Sequence, residues 1–397
     1  MSTNINTQKK RPMSSKRHEA LAAFGFLLPN LLGFLAFTSI PVVVSLVMAF
    51  TEWNIFKQPT WVGIENFQSL LWFHREGGRL VPNDPFFWQY VYNTVYLMIG
   101  IPLGMAGSLI VALMMNQKIN KIVFFRTVYF LPSVCSGVAL LILWKYLYNA
   151  DIGLINKGLR MLGAFVYSNP IIAIVFTVVC AVLFCIMAVG VVTGCLAFLQ
   201  WLCEKLRLEW SYGLLKVLTI IAGAMIFVIV AAYGRGVYAV ISLFLTNPPD
   251  WLGTVQWAKP SLILMGLWGA LGGYHMILYL AALQGVPSSY YEAAEIDGAS
   301  PWAKFWAVTW PMISPTTFFI LVMSVIAGFQ GGFMTANVLT GGGPAGSTMT
   351  VEYYLFQHAF EKFNMGYASA IAWFLFVIIL ILTLATWKLG GKVVTYE

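Results

Sequence analysis

The chain has 397 residues, of which 59% are hydrophobic and 10% charged, and a formal net charge of +8. A soluble globular chain carries about a quarter charged residues, so this composition excludes a water-soluble globular protein and describes a polytopic membrane protein whose main neighbour is lipid. The positive charge does not read as a nucleic-acid footprint. Its densest run, Lys9, Lys10, Arg11, Lys16 and Arg17, directly precedes the first apolar segment, where cations hold a terminus on the cytoplasmic side.

A helical span needs ~20 predominantly apolar residues. In chain order, such segments are expected near 24–50, 90–115, 123–148, 168–201, 217–246, 261–284, 314–334 and 368–389. The first is longer than the ~7–15 residues of a signal h-region and reads as an uncleaved span. With the N-terminus inside, "NQKINK" (116–121), Arg126, Lys304, Lys388 and Lys392 also fall inside, while Arg75, Arg79, Lys157 and Arg160 fall outside. The expectation is an all-α protein of about eight transmembrane helices with both termini cytoplasmic.

Residues 164–249 read as an inserted transmembrane hairpin, two apolar segments joined by "WLCEKLRLEW" (201–210). Lys205 and Arg207 place its tip inside, and a pair of spans leaves everything downstream in its original orientation. Arg235 is the arginine set well inside a candidate span, and glycines beside it in an over-long segment favour snorkelling to the outer interface. The five cysteines, Cys135, Cys180, Cys185, Cys195 and Cys203, sit in or beside apolar runs without a CxxC pair and read as small hydrophobes.

Several chemistries lack their residues. There is no DxD or DDxxD carboxylate cluster, no HExxH, and no GxxxxGK[ST] phosphate cradle; "GGGPAGST" (341–348) lacks the lysine. The sequence thus implies no catalytic residue, no metal site and no cofactor of its own. His275, in "GGYHM", reads as a packed or pore-lining residue rather than a proton relay.

One polar stretch interrupts the apolar C-terminal half: "YYEAAEIDGASPWAKFWAVTWPMISP", residues 290–315. Ser289 and Glu292 have capping-box spacing, Gly298 is a left-handed helix stop, and Ser300-Pro301 restarts a helix as cap and first-turn proline. Pro311 should end that helix. Two short helices around a sharp turn are expected on the cytoplasmic face.

The order Glu292-Ala293-Ala294, three residues, Gly298, nine residues, Val308, one residue, Trp310-Pro311 resembles the EAA signature of ABC-importer permeases. Val308 and Trp310 stand where that signature has isoleucine and leucine. The resemblance extends over residues 20–163 and 250–390 through "LAALQGVPSSYYEAAEIDGASPWAKFWAVTWPMISPT", "LTGGGPAGST", "FEKFNMGYASAIAWFLF", "LLPNLLGFLAFTSIPVVVSLVMAFTEWN" and "WVGIENF". These look like membrane subunits of sugar-type importers, the maltose and glycerol 3-phosphate branch.

What the resemblance implies is a six-helix core plus the hairpin: a cytoplasmic tail (1–19), three core spans (20–163), the insertion (164–249), three further core spans (250–390) with a coupling loop at 286–312, and a tail (391–397). It implies an inner-membrane subunit that is no enzyme. Tyr291, Glu292, Ala293, Ala294, Asp297, Gly298, Ala299 and Pro311 would couple it to two ABC ATPase subunits that bind ATP and magnesium. A second, homologous permease and an extracytoplasmic solute-binding protein would complete the assembly.

In the spans, Trp268, Tyr274, Ser324, Gly328, Phe329, Gln330 and Gly332 combine aromatic faces, neutral hydrogen-bonding groups and small residues, and form the candidate substrate path. Gly328 and Gly332 stand where the resemblance calls for polar groups, and close helix packing explains the small residues equally well. Two other readings are an ion-coupled secondary transporter, against which stands the scarcity of intramembrane charge, and a polytopic membrane enzyme, against which stand the missing carboxylate pairs. The hairpin reading yields a direct expectation: a cysteine placed at position 206 reacts with thiol reagents only from the cytoplasm. Labelling in intact cells by an impermeant reagent would refute that topology.

Overall fold

A computed structural model of the chain describes residues 15–117, 120–205 and 234–390. Residues 217–233 of the expected fifth span, Arg207 and position 206 at the hairpin tip, and Lys392 in the C-terminal tail lie outside the described residues, as does most of the N-terminal tail.

The chain opens with α1 (Ser15–Phe34) and α2 (Ile40–Met48), joined by a π turn at Leu35–Ser39 into one apolar stretch, Arg17–Met48. The π turn lies just before Pro41 for a physical reason. Proline lacks an N–H and its ring crowds the carbonyl one turn back; a wider i→i+5 turn relieves that crowding without ending the helix. The same device recurs at Phe305–Thr309, just before Pro311. Pro311 therefore does not end its helix, contrary to expectation, and the stretch Pro301–Gln330 runs through it.

The all-α expectation is met in the main, with two small antiparallel ribbons added after α2. They are β1 (Thr51–Glu52) with β2 (Thr60–Trp61), and β3 (Phe73–Glu76) with β4 (Arg79–Pro82). The short α3 (Glu65–Leu71) lies between them. Then α4 (Pro85–Leu97) and α5 (Gly100–Met115) form the apolar stretch Pro85–Met115.

The expected third span is not straight. It is split into α6 (Ile122–Val134) and α7 (Gly137–Leu147), bent by 96° at Cys135-Ser136. Pro132, inside the last turn of α6, removes an amide there, and Cys135 is extended. Next come α8 (Leu154–Tyr167), the 36-residue α9 (Pro170–Lys205), which covers all but the first two residues of the expected 168–201 segment, and α10 (Gly234–Thr246).

The C-terminal part comprises α11 (Val255–Leu271), α12 (Tyr274–Gln284), α13 (Ser288–Ile296), α14 (Pro301–Lys304), α15 (Trp310–Gln330), α16 (Phe333–Thr340), α17 (Val351–Phe356) and α18 (Met365–Gly390). Among the described residues, five helical stretches are long and apolar enough to cross a membrane, or six if the bent pair α6–α7 counts as one.

The described residues divide into two compact units: those within 15–101, 285–333 and 349–390 form the first, and those within 102–284 and 334–348 the second. In the second unit, Asn156 is fully buried on α8 and donates to the Ala150 and Pro249 carbonyls, while the Trp251 indole donates to its side-chain oxygen at 2.6 Å. Tyr148, also buried, donates to the Ser261 carbonyl at 2.9 Å. α8 lies against α10 so closely that a Cβ on Gly163 would stand 3.0 Å from the Leu245 carbonyl oxygen.

The first unit is fastened by Asp84. Its Oδ1 accepts the Phe86 and Phe87 amides at 3.0 Å and caps α4, with Pro85 in the first turn. Its Oδ2 accepts the hydroxyls of Tyr354, at 2.7 Å, and Tyr367. One carboxylate so ties α4 to α17 and α18. Hydrogen bonds to a charged acceptor are each worth ~1.5–3 kcal/mol, enough to fix these elements relative to one another. Burial, followed by the bond to Asp84, pushes the Tyr354 hydroxyl well above its ordinary pKa.

His358 packs its ring on both tyrosines, with centroids 4.5 and 4.7 Å away, and the Lys362 ammonium donates to its Nε2 at 3.2 Å. Burial and then the Lys362 charge lower this imidazole to about 4, with Asp84 opposing. An imidazole so depressed is neutral when folded, so its stabilisation is complete above the ordinary value of 6.5 and is lost as pH falls from there through about 4. The wild-type chain is accordingly expected to lose more thermal stability between pH 7 and pH 5 than His358→Gln. Parallel melting shifts of the two proteins in detergent would contradict this.

Candidate functional site

The polar loop forms the helix–turn–helix foreseen from its sequence. α13 ends in a Schellman motif: Gly298 has φ +75°, its amide donates to the Glu295 carbonyl, and the Ala299 amide donates to the Ala294 carbonyl. The Ser300 hydroxyl then caps α14 by accepting the Ala303 amide at 3.2 Å, with Pro301 in the first turn. The capping box at Ser289 is absent. α13 starts one residue earlier, at Ser288, with Pro287 as a cap residue that makes no side-chain bond, and Ser289 is thereby drawn into the first turn.

Two contacts hold the helices in place. The Tyr291 hydroxyl bonds Thr309 at 3.0 Å, and Lys304 pairs with Glu295 at 2.7 Å. An exposed ion pair contributes ~0.2–1 kcal/mol, so the Gly298 turn and the Ser300 cap set the shape. The loop presents Glu292, Ala293, Asp297 and Gly298 exposed and Tyr291, Ala294, Ala299 and Pro311 half-buried. Ile296 is 87% and Trp302 71% exposed beside them. Trp302, Phe305, Trp306 and Trp310 pack ring on ring behind the turn. An exposed apolar and aromatic face rimmed with charge is the make-up of a docking surface.

The residues expected along a substrate path divide between the two units. In the first, Ser324 and Phe329 are buried and Gln330 is exposed. A Cβ on Gly328 would stand 3.0 Å from Met98 and Ile101, and one on Gly332, at φ +111°, would stand 2.8 Å from Thr350. Both glycines therefore serve close packing within that unit. In the second unit, Trp268 stacks edge-on against Trp144 at 5.6 Å and Tyr274 is 63% exposed at the start of α12.

The structure adds a polar cavity of about 500 Å³ within the first unit, which the sequence reading did not single out. Its walls include Glu52, Glu65, Asn66, Asn83, Asp84 and His358. Glu352, outside it, accepts the Phe333 amide at 2.8 Å; burial raises its carboxyl and this bond tempers the rise. Among the described residues, no group of His, Cys, Asp and Glu is arranged to hold a metal ion. The available signal for Asp84 was local: an Asp-Pro pair opening an apolar helix.

Residues 100–387 match the family described as the binding-protein-dependent transport system inner membrane component. The chain belongs to that family. It is 30% identical to the probable ABC transporter permease protein YesP of Bacillus subtilis, covering 96% of this chain and 94% of that one. It is 28% identical to the lactose transport system permease protein LacF of Rhizobium radiobacter (76% and 75% covered) and 23% identical to the arabinooligosaccharides transport system permease protein AraP of Halalkalibacterium halodurans (98% and 93%). Its fold resembles a crystallised bacterial ABC transporter involved in alginate import, with TM-score 0.62 at 20% identity over 96% of this chain and 98% of that one. The protein is a multi-pass inner-membrane permease component of an ABC transport system.

For this permease, the Gly298 turn generates a prediction. A Cβ there would meet nothing within 4 Å, so substitution acts through backbone conformation alone, at ~1–2 kcal/mol for a side chain forced left-handed. Gly298→Val is expected to insert normally and lose co-purifying ATPase subunit, while Gly298→Asn, which tolerates that conformation, retains most of it. Equal ATPase recovery with Gly298→Val and the wild type would contradict the role of the turn.

Proposed function

We propose that this chain forms half of the translocation pathway of a binding-protein-dependent importer for a carbohydrate or similar polar solute. In this reading residues 286–312 couple it to the ATPase subunits. The observation that carries the reading is the coupling loop: an exposed pair of short helices, set by a left-handed glycine, that bears the EAA order from Glu292 to Pro311. The proposed contact residues are Tyr291, Glu292, Ala293, Ala294, Asp297, Gly298, Ala299 and Pro311. The partners are a second, homologous permease, two ATPase subunits that bind ATP and magnesium, and an extracytoplasmic solute-binding protein. A structural neighbour supports this last partner, since one such transporter was crystallised in complex with a pentasaccharide-bound periplasmic protein. The carbohydrate class is supported by the names of relatives that carry lactose and arabinooligosaccharides.

Both termini are cytoplasmic in this reading, which puts the two β ribbons and the Asp84 cavity on the extracytoplasmic side. Trp268, Tyr274, Ser324, Phe329 and Gln330 remain the proposed solute-facing residues, with Gly328 and Gly332 seating the helices that carry them. Residues 164–249 act as an inserted hairpin. Supporting this, Asn156, before the insertion, bonds Pro249 and Trp251 at its end, so the core closes across the insertion.

The test is reconstitution in vesicles of the permease pair with the ATPase subunits and binding protein. Carbohydrate uptake that requires ATP and the binding protein is expected. Uptake by this chain alone along an ion gradient would establish a secondary transporter instead, and catalytic turnover by the isolated chain would make it an enzyme.

A further inference from the structure

Helix α8, "LINKGLRMLGAFVY", has two faces that differ in what covers them. Asn156, Gly163 and Val166 are buried against the rest of the second unit, α10 in particular. On the other side Leu154, Met161 and Phe165, spaced i, i+7 and i+11, form one stripe and are 58%, 69% and 66% exposed. Lys157 lies beside that stripe and Arg160 beyond it on the same side, both exposed. Arg160 donates one bond to the Ala150 carbonyl at 3.2 Å, which seats the guanidinium on the flank of the helix. The helix contains no acidic residue; Asp151 precedes it.

Its place in the chain identifies what covers the open stripe. Only Ser168 and Asn169 separate α8 from α9, whose flank is strongly exposed and apolar at Ile171, Ile174 and Val178. α9 carries residues 170–201 of the apolar segment expected to span the membrane, which would put its start at the level of the membrane boundary. At 1.5 Å per residue α8 is ~21 Å long, too short to cross a ~30 Å hydrocarbon core. A short helix at that level with an open apolar stripe and neighbouring cations has the make-up of one that lies in the membrane surface.

We propose that α8 is an interfacial helix that binds anionic phospholipid. Leu154, Met161 and Phe165 seat in the boundary between headgroups and acyl chains, and Lys157 and Arg160 engage phosphate-bearing headgroups. This accounts for two of the cations that fall on the outer side in the topology, against the usual bias. It holds whatever solute the permease carries.

The test places photoreactive benzoylphenylalanine at position 161, and separately at 165, in the full chain assembled with its partners in vesicles of phosphatidylethanolamine with phosphatidylglycerol. Irradiation is expected to give lipid adducts in which phosphatidylglycerol exceeds its bulk share, each cation near the surface contributing up to about fivefold. Lys157→Glu with Arg160→Glu is expected to return the adducts to the bulk composition. Lys157→Gln with Arg160→Gln gives the same reading should charge reversal block insertion. Adducts to a protein chain, failure to react with lipid, or adducts at bulk composition in the chain with both cations intact would each overturn the proposal.

Discussion

The turn at Gly298 is the constraint on which the rest of the proposed mechanism depends. A permease of this kind has to transmit a push from a soluble motor into apolar helices that offer the motor nothing to grip. In the proposed mechanism α13 and α14 would supply the grip; the turn between them is made by one left-handed residue and closed by backbone bonds from Gly298 and Ala299. Backbone geometry is stiff where an exposed ion pair is soft, so the turn rather than Lys304–Glu295 defines the shape of the loop. From α14 the helical path runs through the π turn at Phe305–Thr309 past Pro311 to Gln330. A force applied at the loop therefore enters α15 without a break in the chain of backbone bonds.

The same chemistry shapes the membrane part. Lipid offers no partners for backbone groups, so the break that a proline makes in the helix ladder has to be accommodated locally, in some places by rewinding. Pro41 and Pro311 are each preceded by a π turn, whereas Pro132 coincides with the 96° break between α6 and α7. Charge is kept away from these stretches and concentrated elsewhere. Asp84 spends its carboxylate on two tyrosines and two amides, and His358 beside it is held neutral.

Much of the shape of the polar loop was legible because its determinants are neighbours in sequence: Gly298 and the Ser300-Pro301 pair act within four residues of themselves. The capping box failed on a competition of the same range, since Pro287 lets the helix start at Ser288 and strands Ser289 inside. The Asp84 cluster was not legible, because its partners lie 270 and 283 residues away and no local pattern announces them. Hydropathy located the first, second, third, sixth, seventh and eighth expected segments but is blind to helix direction, so the break at Cys135-Ser136 escaped although Pro132 was in view. The path residues read as binding groups and as packing groups alike. The distances at Gly328 and Gly332 fit close packing.

The central claim is that residues 286–312 meet an ATPase subunit. Its most direct measurement is site-specific cross-linking in the assembled transporter, from a cysteine replacing Ala293 to cysteines around the docking groove of the ATPase. The account predicts a cross-link whose yield changes between nucleotide-free and ATP-bound states. Failure to form any cross-link to the ATPase, with position 293 instead labelled by an impermeant reagent from outside the cell, would contradict it.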